Sequence, residues 1–184
     1  IGYHKPTIGH PDDFVFDVID EVLTEGVTSR LYSTLVRDKR LAASVLSDTN
    51  YPGVRAPNLF VIAATPLAPH TTAEVESAIY EELERLKTEP ISAKEFERVL
   101  NGLDADLVRS LRSNSGLASQ LAFYQTVAGS WRYVLNARAR IAAVTPADVQ
   151  RVAAQYLTKP NRTVGVLVKK APDKKMAAVS EVAR

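Results

Sequence analysis

Three histidines, His4, His10 and His70, are the only imidazoles in the chain, and cysteine is absent. Helix-borne zinc ligands need two histidines one turn apart, so that both rings leave the same face. His4 and His10 are instead separated by Pro6 and Gly9, and His70 stands alone. Their placement predicts loop or surface histidines, with no metal ligands in the chain. Without a thiol there is no disulfide, no thiolate metal site and no cysteine nucleophile. A cysteine-free chain suits either side of a membrane. Asp13, Asp17, Asp20 and Glu21 fall in one helical stretch. Such carboxylates could hold a divalent cation or exchange protons with a substrate. A complete apolar stripe runs opposite them, so the expectation is a solvated acidic face. Glu81, Glu82 and Glu84 read the same way. No G-x-S-x-G elbow, no phosphate-binding G-x-x-x-x-G-K-[ST] loop and no G-x-G-x-x-G occurs.

Arg30, Arg37, Lys39 and Arg40 gather around a short second helix that follows the joint Glu25-Gly26-Val27-Thr28. This arrangement could be a helix-turn-helix with basic residues aimed at a groove. Acidic neighbours such as Asp38 weaken any attraction to phosphate, and the expectation is a helix corner with a solvated basic edge. Trp131 and the pair Phe123-Tyr124 lie on apolar helical faces and are expected in the core. Residue chemistry alone yields no catalytic constellation.

The elements that would position these groups are legible from periodicity and punctuation. Ile1 to His4 reads as the end of a strand. His10-Pro11-Asp12-Asp13 starts a helix, with Pro at its first position, bearing Phe14, Val15, Val18, Ile19, Val22 and Leu23. Gly26 ends it, and Thr28 or Ser29 caps the helix carrying Leu31, Tyr32, Leu35 and Val36. Strands are expected at Ala43 to Thr49 and over Leu59 to Ala64, joined as a hairpin with a long loop. Thr71/Glu74 and Ser92/Glu95 are capping-box pairs opening two helices. Ser113 to Gly116 breaks the second of these, and further helices carry Leu117, Leu121 and Tyr124, then Trp131 to Ile141. Thr145-Pro146-Ala147-Asp148 opens a last helix. Arg162 to Val168 reads as a closing strand with Val164, Val166 and Val168 on one face. Strands at the start, middle and end with helices between them predict an α+β domain of two layers, its helices on one face of a mixed, mainly antiparallel sheet.

The chain has 184 residues, 23 basic and 21 acidic, for a formal charge of +2; 46% are hydrophobic. That is an ordinary globular composition and excludes general disorder. No apolar run reaches the roughly 18 residues of a membrane span. A net charge this small is far from the basic stripe of a nucleic-acid binder, and no nucleic-acid partner is expected. One domain is expected over residues 1–168, with 169–184 a tail or linker. The chain opens at Ile1 with no leader pattern and is expected to be a piece of a longer protein.

The order of short motifs resembles a known family. His10-Pro11-Asp12, Gly26-Val27-Thr28-Ser29-Arg30-Leu31-Tyr32, Leu35-Val36-Arg37-Asp38-Lys39-Arg40-Leu41-Ala42, Pro90 to Glu95, Val144 to Val149 and Asn161 to Val164 are together similar to the second half of pitrilysin/insulinase-type zinc peptidases. The resemblance implies a metallohydrolase fold of the LuxS and mitochondrial-processing-peptidase kind, in which related α+β halves close around an unfolded peptide. In that family the first half carries H-x-x-E-H and a distant Glu ligand; this chain has no H-x-x-E-H. The resemblance therefore implies a non-catalytic half with no cofactor of its own, zinc residing in a partner half or subunit. In many relatives the second half lends an Arg and a Tyr, seven residues apart, to the developing oxyanion. Val36 and Ala43 occupy those positions here and can donate nothing from their side chains; Arg37, one residue on, would be rotated by about 100° on a helix.

What the resemblance implies about partners is a zinc-bearing half, an unfolded peptide substrate and a homo- or hetero-dimer. The peptide would be held by strand addition at a sheet edge, for which Ala43, Ser44 and Val45 are the candidates. The fragment alone is expected to have no peptidase activity; its parent is expected to be a zinc metalloendopeptidase or an inactive homologue. The alternative is a structural assembly module of the same family with no peptidase role. Bacterial relatives point to the periplasm or cell envelope.

Overall fold

The computed structural model describes residues 1–168; the tail or linker expected at 169–184 lies outside the described residues. In chain order the elements are β1 (Gly2–Lys5), α1 (Asp13–Leu23), a π-helical segment (Tyr32–Asp38), β2 (Ala42–Tyr51), β3 (Asn58–Pro66), α2 (Thr72–Thr88), α3 (Ala93–Leu111), α4 (Asn114–Val127), α5 (Tyr133–Ala142), α6 (Pro146–Tyr156) and β4 (Arg162–Thr163). The strands form one sheet in the order β2-β3-β1-β4. Every pairing among the described residues is antiparallel. The class is α+β, with helices α1, α2 and α6 laid on one face of the sheet.

Strand alternation decides which face they cover. Tyr3 of β1, Val45 of β2, and Phe60 and Ile62 of β3 are buried beneath the helices. Their neighbours Leu46, Ala63, Thr65 and His4 point the other way and are exposed. Phe16 of α1 ties the layers together. Its ring lies 5.7 Å from Phe60 of β3 and 5.5 Å from Tyr156 of α6, in tilted and edge-on contacts.

Local signals account for most helix starts. Thr71/Glu74 and Thr145/Asp148 are full capping boxes. Ser92 accepts the Glu95 N–H as expected, but the Glu95 carboxylate turns away from the cap and takes two 2.8 Å hydrogen bonds from Arg30. The start of α1 differs from expectation. Pro11 precedes the helix, and the Asp12 side chain makes no cap. It accepts instead from Arg151 Nη2 at 2.7 Å and Tyr156 Oη at 3.1 Å, which pins the start of α1 to α6. The second helix is π-helical and lacks a Thr28 or Ser29 cap; Ser29 donates to the Gly26 carbonyl at 2.8 Å. Gly26 takes φ +77°, the left-handed conformation expected of it.

Three expectations are overturned. The acidic face of α1 is not solvated: Lys5 of β1 and Thr49 and Ser47 of β2 meet Asp13, Asp17 and Asp20, and α3 lies against Glu21. Glu21 is only 9% exposed, and Asp13, Asp17 and Asp20 are half-buried. Glu82 is likewise buried, accepting from Thr34 Oγ1 at 2.9 Å and Arg85 Nη1 at 3.0 Å, while Glu81 and Glu84 are exposed as expected. Phe123 and Trp131 are 44% and 38% exposed and so are not core residues; only Tyr124 of that group is packed, stacked on Tyr133 at 5.2 Å. The closing strand is shorter than its alternation suggests. Only Arg162 and Thr163 pair with β1, and Val164 to Val168 form no ladder.

Candidate functional site

The helices leave the second sheet face bare among the described residues. Leu46 and Ala63, directly opposite each other, Leu59 and Val61 of β3, and His4 of β1 lie on it, with Ser44, Asp48 and Thr65 at its margin. Gly2 lets this face stay smooth: a Cβ there would sit 3.3 Å from Leu59 Cδ1. One rim of the sheet is β2, whose only strand partner among the described residues is β3. In an antiparallel ladder, main-chain groups alternate between the partner side and the free side. Val45 pairs with Ala64 and Ser47 with Ile62. Ile62 exchanges both of its hydrogen bonds with Ile1 on the β1 side. The N–H and C=O groups of Val45, Ser47 and Thr49 are therefore turned to the free edge.

The candidate edge residues fall on this strand. Ala43 and Ser44 are exposed, and Val45 is 9% exposed with its side chain toward the helices. Ala43 has no cross-strand partner, since the register slips between Ala42 and Ser44. That makes it a β-bulge, a device that bends a strand near sheet edges and sites. The π-helical segment leads directly into this bulge, and Arg40 between them has φ +51°, left-handed for a residue with a Cβ. Val36 is half-buried against the core, and neither it nor Ala43 carries a side-chain donor. Arg37 faces solvent and is engaged by Asp38 through hydrogen bonds of 2.6 and 3.0 Å. Of the other basic residues, Arg30 is held by Glu95 and Lys39 by Glu81 at 3.1 Å.

Behind β2 lies a polar layer that sequence reasoning missed. Ser47 Oγ donates to Asp20 and is bonded to Thr24 Oγ1, and Thr49 Oγ1 reaches Asp17 at 3.4 Å. Lys5, with a fully buried ammonium, donates to Asp13 at 2.5 Å. Burial, with Asp13 and Asp20 adding repulsion, pushes the Asp17 carboxyl up to about 7. Burial likewise raises Asp20 to about 6 and Glu21 to about 7, the latter helped by Glu25 and Asp106. The available signal was on β2: its inward positions carry Ser47 and Thr49 where a core strand would carry apolar residues, matching the carboxylates of α1. These groups brace α1 against β2. Among the described residues, no group of three or more His, Cys, Asp or Glu side chains could hold a metal ion. His4 lies on the bare face, His10 accepts the Asp12 N–H at 3.1 Å, and His70 sits 3.6 Å from Glu74.

The site geometry is that of a half-bare antiparallel sheet backed by helices, with an open edge at β2 among the described residues. The family model for the "Peptidase M16 inactive domain" matches residues 1–103, and the chain belongs to that family. It is 28% identical over 164 residues to zinc protease PqqE of Helicobacter pylori, a match covering 89% of this chain and 36% of that protein. A crystal structure of a protease from H. pylori superposes with a TM-score of 0.80 at 27% identity, covering 87% of this chain and 38% of that one. The inactive peptidase domain of a candidate zinc protease from Bordetella parapertussis superposes with a TM-score of 0.79 at 27% identity, covering 93% of this chain and 92% of that one. The chain thus spans little more than a third of the length of its H. pylori relatives.

Proposed function

We propose that this domain is the non-catalytic half of a zinc metallopeptidase, which packs against a zinc-bearing half and encloses an unfolded peptide between them. The observation that carries the reading is the bare sheet face and free β2 edge in a member of an inactive-domain family. The zinc half supplies the ion that activates water for amide hydrolysis. This chain supplies a wall: the face bearing Leu46, Val61 and Ala63 for apolar side chains, and the edge groups of Val45, Ser47 and Thr49 for a substrate main chain. Main-chain pairing is sequence-tolerant, as enclosure of varied peptides requires. With Val36 and Ala43 at the Arg/Tyr positions, the domain gives no side-chain donor to the oxyanion. Its contribution is binding and orientation, so it lowers KM more than it raises kcat. The bacterial periplasm or cell envelope is the proposed place of action, on resemblance alone.

The test uses this chain combined with its zinc-bearing half and a fluorogenic peptide. Scrambling the peptide sequence should change KM by less than about threefold. N-methylating alternate amides on the face paired to β2 should raise KM about tenfold or more, since each lost main-chain hydrogen bond is worth about 0.5–1.5 kcal/mol. Equal KM values for the methylated and unmethylated peptides would remove strand addition from the account.

A further inference from the structure

Ser47 and Thr49 face two ways. Their main-chain N–H and C=O groups are turned to the free edge of β2, and their side chains run inward to α1. The Ser47 hydroxyl donates to Asp20 and is also bonded to the hydroxyl of Thr24, the residue that ends α1. The Thr49 hydroxyl reaches Asp17 at 3.4 Å and accepts from Asn50 Nδ2 at 2.9 Å. β3 meets α1 through the apolar contact of Phe60 with Phe16; this stretch of β2 meets the same helix through hydroxyls and carboxyls. The strand that presents the free edge is therefore held to the helix layer in part by groups that change with pH.

The charges around this seam are unbalanced. α1 brings Asp13, Asp17, Asp20 and Glu21, with Glu25 just beyond its end, and β2 adds Asp48 beside Asp20. β1 supplies Lys5, whose buried ammonium is taken by Asp13. α3 brings Arg98 and Asp106, both on the Glu21 side. From α4 and α5 come the phenols of Tyr124 and Tyr133, which burial keeps protonated well beyond neutrality, and Arg140, which lies over the Phe14 and Tyr133 rings. On α6, Arg151 and Tyr156 are engaged by Asp12. No histidine faces the seam among the described residues: His4 is on the bare face, His10 beside Asp12 and His70 beside Glu74. Carboxyls thus outnumber the cations that reach them, and a half-buried carboxyl in that setting relieves the repulsion by taking a proton.

We propose that this seam is a pH-sensitive clamp on the β2 edge: with Asp17 and Asp20 protonated, α1 holds β2 through Ser47 and Thr49, and with both ionised, repulsion along α1 loosens the strand. A protonated carboxyl still accepts the two hydroxyls, so the bonds survive the uptake of protons. Burial favours the protonated carboxyls in the folded chain. The hold is complete below the unfolded value near 4 and is lost as pH rises through about 6 to 7. Glu21 titrates over the same range, but it faces α3 at Gly102 and makes no bond to β2 among the described residues. The clamp itself is a property of the fold. Its consequence for a peptide, a firmer edge in mildly acidic surroundings, rests on the reading of β2 as the substrate edge.

The test follows the 184-residue chain by NMR from about pH 5 to about pH 8. The side-chain carboxyl carbons should titrate at about 7 for Asp17 and about 6 for Asp20. Amide exchange, expressed as protection relative to unfolded-chain rates, is read at Leu46 and Asp48, which pair with Ala63 and Val61 of β3. Tyr3 and Phe60, paired on the β1 side of β3, are the reference. Protection at Leu46 and Asp48 should fall about tenfold or more across this range, and by more than at Tyr3 and Phe60. In Asp17→Asn/Asp20→Asn that additional fall should disappear; if this variant does not fold, the two readouts on the unaltered chain decide. Carboxyls that titrate near 4 would overturn the clamp. So would an equal fall at both pairs of amides, since the whole domain would then be loosening, or an additional fall that persists in the folded double variant. Neither readout uses a peptide, so failure of the clamp leaves strand addition standing, and failure of strand addition leaves the clamp.

Discussion

Helices α1 and α4 both carry an apolar pattern and differ by only three residues in length, yet they have opposite fates. Eight of the eleven residues of α1 are buried, and none of the fourteen of α4. The difference lies in their neighbours. α1 is held between the sheet and the α3–α5 pair, whereas α4 packs mainly on α3 and α5 among the described residues. An apolar stripe therefore says that a helix has something to bury, and the topology says how much it can. The packing that hides Phe16 also hides the carboxylates of α1, so apolar and acidic groups are buried on the same helix.

Substitution of matched residues tests this contrast, beginning with the largest effect. Phe16→Ala should destabilise the domain by about 3–5 kcal/mol, because Phe16 is fully buried between Phe60 and Tyr156. Urea unfolding reads this directly, and a loss below about 1 kcal/mol would mean α1 is not the keystone. Next in size is the acid response. A carboxyl raised by burial favours the folded chain when protonated. That contribution is present below the unfolded value near 4 and is lost as pH rises through about 6 to 7. Asp12 acts oppositely: burial works to raise its carboxyl, but hydrogen bonds from Arg151 and Tyr156 hold it below the usual range, so its contribution is lost as pH falls. Asp17→Asn should therefore raise Tm at pH 8 by several degrees and have little effect near pH 4. An equal shift at both values would mean that Asp17 titrates normally.

A smaller loss is expected from Arg30→Ala, which leaves the half-buried Glu95 without its two hydrogen bonds. About 1–3 kcal/mol should disappear, and a double-mutant cycle with Glu95→Ala should show that most of it is mutual. At the small end, Phe123→Ser and Trp131→Ser should each change stability by no more than about 0.5 kcal/mol in urea melts. For Phe123, a cost approaching that of Phe16→Ala would erase the distinction between α1 and α4.

Much of the fold was legible because it rests on local chemistry. The Thr71/Glu74 and Thr145/Asp148 boxes start helices wherever they fold, and the apolar run from Leu59 to Ala64 has the length and composition of a buried strand. The β2–β3 hairpin followed from two such runs with Pro and Gly between them. The failures share one cause, which is that a helix pattern reports a single face. Nothing near Asp17, Asp20 or Glu21 in sequence reveals that β2 will meet the first two and α3 will cover the third. Only the close approach at Gly102, where a Cβ would lie 3.3 Å from Glu21 Oε2, records that packing. The same limit explains Phe123 of α4 and Trp131 in the turn ahead of α5, which find no covering element among the described residues. The shortened β4 has a different origin: alternation in Val164 to Val168 marks a strand, but a ladder also needs a neighbour. The family was legible by resemblance, through the order of motifs from His10-Pro11-Asp12 to Asn161-Arg162-Thr163-Val164. The bare face and free edge of the site depend on sheet order, which no short motif encodes.

The most direct test of the central claim, that this domain supports zinc-dependent peptide cleavage without performing it, is to assay peptide hydrolysis and bound zinc for the chain alone and combined with a zinc-bearing half. The account predicts no turnover and no stoichiometric zinc for the chain alone, with cleavage in the combination exceeding that of the zinc half by itself. Chelator-sensitive cleavage by the isolated chain, or a combination no more active than the zinc half, would contradict it.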